Sequence, residues 1–395
     1  MSGIRDSGRS VPPGPSIAGR RSRAISASNR PVFRVGIAGQ GRSGYKIHAD
    51  WLTQATDQYR IVAVADQVPQ RRQDAQEQFG ARVYSDYGEM LADGGFDLFV
   101  NALPTPLHVP ATLAALEAGC HVLCEKPMAP TVERFDAMVA AAGRAGRVLA
   151  PFQNNRYQPF FQRMLQVIDS GVLGRILHVR SCWGAFERRW DWQTFQVNLG
   201  GCLFNTGPHA VDQALCFFPE SVTPSVFCRM GCYNELGGDA NDFCALTLYA
   251  PDGPTVEVHI SHYQAYRQGD MYAVNGTRGG LTGGHSRLRW KYYDGAKVPR
   301  HDIWRPWSHQ REYPRETLPW QEQEWVLDES TAGKAVGYTL RSYNVGIKAV
   351  YDSLYRTLTE GAPPAVSLAE VRRQIAVLEE AHRQNPLPQT TTQWP

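Results

Sequence analysis

The chain has 395 residues, 43% hydrophobic and 20% charged, which excludes a disordered polar polymer and leaves room for two domains, three at most. No apolar run reaches about 18 residues and the N-terminus has no apolar leader core, so a bilayer span is not expected and a cytoplasmic location is. Six arginines against Asp6 give residues 1–30 a charge of +5 while the whole chain carries +3, so the basicity belongs to a Gly-, Ser-, Pro- and Arg-rich arm expected to be disordered, and the body lacks the footprint of a nucleic-acid binder.

Strand and helix signals alternate through residues 31–152. Strands are predicted at 33–39, 60–66, 97–103, 121–125 and 147–152, with a short one at 82–84. Their near-continuous Val, Ile, Leu and Ala content suits parallel strands covered on both faces. Helical stretches between them include 112–118 and 132–142. Repeated βα units predict an α/β, doubly wound Rossmann-type domain.

Beyond residue 152 the texture changes. A helix is predicted at 159–170, ended by Gly171. Longer β-like segments follow at 175–186, 226–232, 243–250, 255–263, 271–275 and 287–294, interrupted by a helix near 208–217. Two more helices are predicted at 338–359 and 368–383. The pattern predicts a second α/β domain over 153–385, with an open, mostly antiparallel sheet and helices on one face. The segment 295–325 reads as a long loop whose Trp304, Trp307, Trp320 and Trp325 close a pocket or pack, and 386–395 reads as a loose tail. Eight cysteines, none in a C-x-x-C pair, read as reduced buried thiols, and no metal site is expected.

The first predicted strand runs into Gly39-Gln40-Gly41-Arg42-Ser43-Gly44. In G-x-G-x-x-G the first glycine makes the tight turn, the second admits a pyrophosphate to the backbone, and the third lets the helix pack on the strand. The helix N-terminus then offers N–H groups to the phosphates. The second strand ends at Asp66, 22 residues beyond Gly44. A carboxylate there accepts from both adenosine ribose hydroxyls and repels a 2′-phosphate, so NAD is expected over NADP, with Arg71 and Arg72 softening the preference.

Two further segments bear on chemistry. Glu125-Lys126-Pro127 ends the fifth strand, where the crevice of an open parallel sheet lies, so Lys126 is placed to hydrogen-bond a substrate oxygen, or else is a surface lysine in a turn. The stretch 200–212 leads from glycines into a helix start, with Pro208 suited to the first turn. Asn205, His209 and Asp212 fall at i, i+4 and i+7, along one line of a helix. His209 has the ordinary pKa for proton exchange near neutrality, and Asp212 is placed to orient its ring. The same residues also fit a capping network.

Together these motifs resemble the glucose–fructose oxidoreductase/inositol dehydrogenase (Gfo/Idh/MocA) family over roughly residues 33–385. The resemblance implies a Rossmann domain followed by an α/β domain with an open sheet carrying the substrate pocket and often an oligomer interface, and hence a homodimer or homotetramer. It implies that Lys126 and His209 are the catalytic pair. It also implies cofactor contacts from Leu103, Pro104, Thr105 and His108, from Glu125 and Lys126 and from Asn155, beside those of Gly39–Gly44 and Asp66. Asn154–Tyr157 is similar to a segment bordering the nicotinamide and substrate, so Arg156 and Tyr157 join Asn205 and Asp212 as expected substrate ligands. Two departures stand out: the usual Thr-Pro-Asn appears as Leu103-Pro104-Thr105, and Asn205 replaces a frequent aspartate, so that residue can orient or bind but cannot accept a proton.

The loop 187–193 carries Arg189 and Trp192 among charged and aromatic neighbours, a composition suited to bonding hydroxyls and stacking on sugar C–H faces, or to an interface. The expected activity is an NAD-dependent dehydrogenase of a sugar, sugar acid or cyclitol, a small polyhydroxylated substrate. The alternatives are a glycosidase working by transient oxidation and a non-catalytic dinucleotide or sugar sensor.

Overall fold

A computed structural model of the chain describes residues 31–266, 269–301, 311, 313–328 and 341–390. The arm expected at 1–30, Trp304, Trp307, the first turn of the helix expected from 338, and residues 391–395 lie outside them.

Six parallel strands form the first sheet: β1 (Phe33–Ala38), β2 (Tyr59–Ala65), β3 (Arg82–Tyr84), β4 (Leu98–Asn101), β5 (His121–Cys124) and β6 (Leu149–Pro151), ordered β3-β2-β1-β4-β5-β6. A π-helical turn (Gly44–Ala49) runs into α1 (Asp50–Leu52), and α2 (Pro69–Phe79), α3 (Tyr87–Asp93), α4 (His108–Glu117) and α5 (Val132–Ala145) make the other crossovers. Successive strand residues enter opposite cores: Leu98, Val100 and Leu123 on one face, Phe99, Val122 and Cys124 on the other. Burial on both faces is why these strands read as unbroken apolar runs.

The second sheet has eight strands: β7 (Ile176–Gly184), β8 (Ser225–Gly231), β9 (Phe243–Tyr249), β10 (Thr255–Ser261), β11 (Tyr272–Gly276), β12 (Gly279–Gly284), β13 (Arg287–Tyr292) and β14 (Gln321–Val326). Their order is β14-β13-β12-β11-β7-β10-β9-β8, antiparallel except for the central β7–β10 pair. Helix α6 (Pro159–Asp169), the short α7 (Cys202–Asn205), α8 (Gly207–Leu215) and α10 (Leu368–Gln384) send Phe160, Met164, Leu203, Val211 and Leu378 into the core on one face. All eight cysteines are free thiols, five of them buried. Among the described residues no helix is long and apolar enough to cross a membrane.

Three expectations need correction. The predicted loop 295–325 contains part of β14, a polar edge strand whose Glu324 pairs with Arg287; its polarity is that of an exposed edge. Strand β12 escapes sequence reading because four of its six residues are glycine, yet a Cβ on Gly279 would fall 2.3 Å from the Lys291 carbonyl oxygen. The tail is tied down as far as it is described: the Asn385 side chain bridges the main chain of Cys228 and Met230, and Thr390 N–H donates to Asp239 at 2.7 Å.

The boundary at 152/153 is also not a clean cut. Helix α9 (Arg341–Glu360) returns to the first domain, where Ile347, Val350, Tyr351 and Leu354 complete one of its two cores. Helix α10 straddles both halves: Val371 and Ile375 pack on the first, Val377 and Ala381 on the second. It starts at a capping box in which Ser367 and Glu370 satisfy each other's main-chain N–H groups, worth about 1 kcal/mol.

Candidate active site

The glycine turn is built as its spacing demands. Gly39 has φ +89°, and a Cβ there would lie 2.5 Å from the Ala102 carbonyl oxygen. A Cβ on Gly44 would fall 1.8 Å from the Gly39 carbonyl oxygen, so only glycine lets the helix approach. A Cβ on Gly41 would meet nothing within 4 Å, so open space lies beside bare backbone. The Gln40 side chain is buried with neither amide atom bonded. Arg42 and Ser43 complete the turn, Arg42 exposed and Ser43 opening the helix without a side-chain cap. An open cradle next to an orphaned buried amide fits a dinucleotide.

Asp66 closes the adjacent side. Its carboxylate accepts from Gln40 N–H at 2.7 Å and Val68 N–H at 2.8 Å, with Arg71 Nη1 at 3.4 Å. Arg72 instead caps the carbonyls of Asp66 and Gln67.

The loop after β4 corrects one expected cofactor contact. His108 is buried, and its ring nitrogens face the carbonyl oxygens of Pro127 at 2.7 Å and Leu103 at 2.9 Å. Burial keeps the ring neutral, so one nitrogen donates to one of these oxygens while the other is turned onto the wall as well; His108 braces the crevice wall instead of presenting a group to the cofactor. Leu103 packs its side chain on the first core, Pro104 precedes the turn Thr105–Leu107, and Thr105 is buried.

The Lys126–Pro127 bond is cis. Lys126 Nζ donates to the main-chain oxygen of Asn205 at 2.7 Å, which brings the second motif to the first. Burial lowers the Lys126 ammonium below its ordinary pKa, Glu125 opposes this, and the charges of Arg42 and Arg189 lower it further. Glu125 is buried, and its Oε2 accepts from Lys126 N–H at 3.1 Å. Burial pushes its carboxyl up, but His48 and then Lys126 outweigh that and bring it down to about 2.

The 200–212 stretch is pinned from below by Asn241, which sequence reading did not single out. Its side-chain oxygen accepts from Leu203 N–H at 2.8 Å, its main-chain oxygen accepts from Cys202 N–H at 2.6 Å, and Gly201, at φ +96°, passes too close to it for any side chain. The polar run preceding β9 was its one sequence signal. Helix α7 ends at Asn205 and α8 restarts at Gly207. His209 Nδ1 is buried without a hydrogen-bond partner. Burial, then the charges of Lys126 and Arg42, hold His209 well below the ordinary imidazole pKa against the pull of Glu125.

The break between α7 and α8 overturns the expected polar line. Asp212 turns into the interior and grips Arg156 with both oxygens, at 3.0 and 2.5 Å. Glu370 of α10 takes the other edge of the guanidinium. Burial works against the Arg156 charge, but Asp212 more than offsets it and raises its pKa. Arg156 and Asp212 therefore bolt the 3-10 turn Asn154–Tyr157, α8 and α10 together; they are not free for substrate, and Asp212 does not orient His209. Tyr157 also points elsewhere, its hydroxyl donating to the Ala365 oxygen at 2.5 Å. Asn155 is partly exposed, its main-chain oxygen accepting from Gln213 and its side-chain oxygen from Gln158.

A small polar pocket lies beyond Asn205, lined by Arg189, Gln193, Asn234, Asp242, His262 and Tyr263 among others. Gln193 links it to the Lys126 side through the Asn205 side chain at 3.4 Å. Arg189 donates to Asp191 at 2.9 Å and Gln193 at 2.6 Å, and Tyr263 O–H donates to Asp242 at 2.8 Å. Trp192 is partly exposed on the same loop, and Trp190 is 80% exposed. Among the described residues no His, Cys, Asp and Glu side chains gather in a group able to hold a metal ion.

Residues 33–152 match the family described as an oxidoreductase family with an NAD-binding Rossmann fold, and residues 161–282 match the GFO/IDH/MocA C-terminal domain. The chain belongs to the Gfo/Idh/MocA oxidoreductases. Among this family's curated members it is 33% identical over 226 residues to the D-glucoside 3-dehydrogenase of Escherichia coli K12, covering 54% of this chain and 62% of that one. It is 29% identical over 203 residues to the scyllo-inositol 2-dehydrogenase (NADP(+)) IolW of Bacillus subtilis, covering 50% and 56%. The chain thus spans between half and two thirds of these relatives' lengths. A Gfo/Idh/MocA fold is shared with the WlbA dehydrogenase of Bordetella pertussis, solved with NADH and UDP-GlcNAcA, at a TM-score of 0.71 and 24% identity over 90% of this chain and 96% of that one.

Proposed function

We propose that the protein is an NAD-dependent dehydrogenase acting on a hydroxyl carbon of a sugar, sugar acid or cyclitol. The observation that carries this reading is the meeting of Lys126 with Asn205, four residues before His209 and joined through Gln193 to a polar pocket. The Gly39–Gly44 turn and Asp66 would hold the dinucleotide, with Gly41 giving room for the pyrophosphate and Asp66 bonding the ribose hydroxyls. The cofactor supplies the hydride acceptor for alcohol oxidation and the donor for the reverse reduction. A carboxylate at Asp66 disfavours a 2′-phosphate, and Arg72 is occupied with main-chain oxygens, so NAD is the expected partner.

The chain's own groups handle the proton. Lys126, protonated and partly desolvated, donates to the substrate oxygen and stabilises its developing negative charge. His209, kept neutral by burial and by Lys126, takes the hydroxyl proton and returns it in the other direction. Asn205 holds the Lys126 ammonium through its main-chain oxygen and leaves proton transfer to His209. Arg189 and Gln193 bond the remaining hydroxyls or a carboxylate, while Trp190 and Trp192 offer apolar faces to the ring.

The test is a panel of sugars, sugar acids and cyclitols with NAD⁺ and NADP⁺, followed at the absorbance band of reduced nicotinamide. Reduced cofactor formed faster with NAD⁺ is expected. Glycoside cleavage with no net reduced cofactor would replace this reading with transient oxidation. Tight NAD⁺ binding without turnover on any substrate would replace it with sensing.

A further inference from the structure

Below the crevice lies a buried pair that the proposed chemistry does not use. His48 is fully buried on the π-helical turn that follows the glycine loop. A π-turn inserts one residue into the helix and is often found at functional positions. The ring is fixed by Phe152, whose centroid is 4.4 Å away, and by Tyr351 of α9, whose hydroxyl is 2.8 Å from Nδ1. Tyr351 is anchored in turn: its main-chain oxygen accepts from Tyr59 O–H at 2.9 Å. The other nitrogen, Nε2, has no hydrogen-bond partner and stands 3.4 Å from Glu125 Oε1.

We propose that His48 is a positioning residue: Tyr351 O–H donates to Nδ1, which places the proton on Nε2, and Nε2–H clamps the Glu125 carboxylate that sits behind Lys126. The proposal rests on the reading of Lys126 as the group that holds the substrate oxygen. The carboxylate is then gripped at both ends, Oε1 by His48 and Oε2 by Lys126 N–H. A buried carboxylate that loses such a donor takes up a proton more readily. Lys126 would lose its counter-charge and, facing Arg42 and Arg189, its proton. The charged and titratable groups around Glu125 are His48, Lys126, His108, Cys124, His209 and Tyr351; the Cys124 thiol points to the Glu125 main-chain oxygen, and of these His48 is the side chain placed to donate to Oε1.

The experiment measures Lys126 directly, in the full chain and without substrate. Trace acetic anhydride labels amines only when deprotonated, and mass spectrometry of the peptide carrying Lys126 across a pH series gives its midpoint. The expected result is a midpoint about one pH unit or more lower in His48→Leu than in the native chain, and within a few tenths of native in His48→Gln, whose amide keeps a donor. Tyr351→Phe, which keeps the aromatic packing and removes only the hydroxyl, should shift the midpoint in the same direction by less, and it decides the matter if His48→Leu does not fold. An unchanged midpoint in a folded His48→Leu or Tyr351→Phe variant, with melting temperature alone reduced, would overturn the proposal. Because no substrate is present, failure of every sugar to react would remove the dehydrogenase reading and leave this result intact.

Discussion

The Lys126 ammonium stands 2.7 Å from the main-chain oxygen of Asn205, a residue 79 positions further along the chain. That contact joins the end of a parallel strand to the junction of α7 and α8 in the other domain. It puts a positive charge where it depresses the protonation of His209.

If these two side chains do the chemistry, Lys126→Ala and His209→Ala should each lower kcat by about 10²-fold or more, the range for positioned acid–base groups. The check is steady-state kinetics on the substrate returned by the panel, with NAD⁺ affinity measured separately to show that binding survives.

The pH profile should carry both shifts. His209 acts as a base when neutral, and its pKa is held well below 6.5, so the acid limb of kcat/KM should lie below pH 6.5. Lys126 acts when protonated, and its pKa is lowered from 10.5, so activity should fall on the alkaline side below pH 10.5. Removing a neighbouring cation by Arg189→Gln should move that alkaline limb upward.

Asp66→Ala removes a charged acceptor from the ribose site. NAD⁺ should bind about 10-fold more weakly or worse, as expected for loss of hydrogen bonds to a charged group. NADP⁺ should bind no worse than before. Fluorescence titration with both dinucleotides separates the two effects.

The glycine turn offers a paired test. Gly41→Ala points its methyl into open space, so the fold should survive while NAD⁺ affinity drops. Gly44→Ala drives its methyl into the Gly39 carbonyl, so both melting temperature and NAD⁺ binding should suffer. Thermal melts beside cofactor titrations distinguish a blocked cradle from a broken one.

Arg156 and Asp212 should behave as structural residues. Asp212→Asn leaves a buried guanidinium short of a counter-charge, which costs about 3–5 kcal/mol. A lower melting temperature with little change in KM is expected; a rise in KM at full stability would return them to the substrate site.

Periodicity made the first domain legible because its strands are buried on both faces, and the glycine spacing identified the nucleotide turn. Lys126 and the 205–209 segment were legible as motifs, but their meeting depends on tertiary packing. The line from Asn205 to Asp212 failed because the helix breaks at Thr206, which rotates Asp212 into the interior. His108 looked available because a sequence does not show that its ring is buried against the carbonyls of Leu103 and Pro127. Strand β12 was invisible because glycine has low strand propensity, although close backbone approach requires it there. Asn241 and His48 act through neighbours distant in sequence; a polar run before β9 is the one local sign of Asn241, and none marks His48.

Because Ile347, Val350 and Tyr351 fill one side of the nucleotide-binding half, that half emerges from the ribosome with a greasy flank and keeps it until α9 has been synthesised. Its strands can pair early, but the nascent domain must stay in a sticky, incomplete form while some two hundred further residues are added. A gene shortened at the apparent domain border should therefore yield an aggregating fragment, and the two halves of the mature protein should melt in one transition.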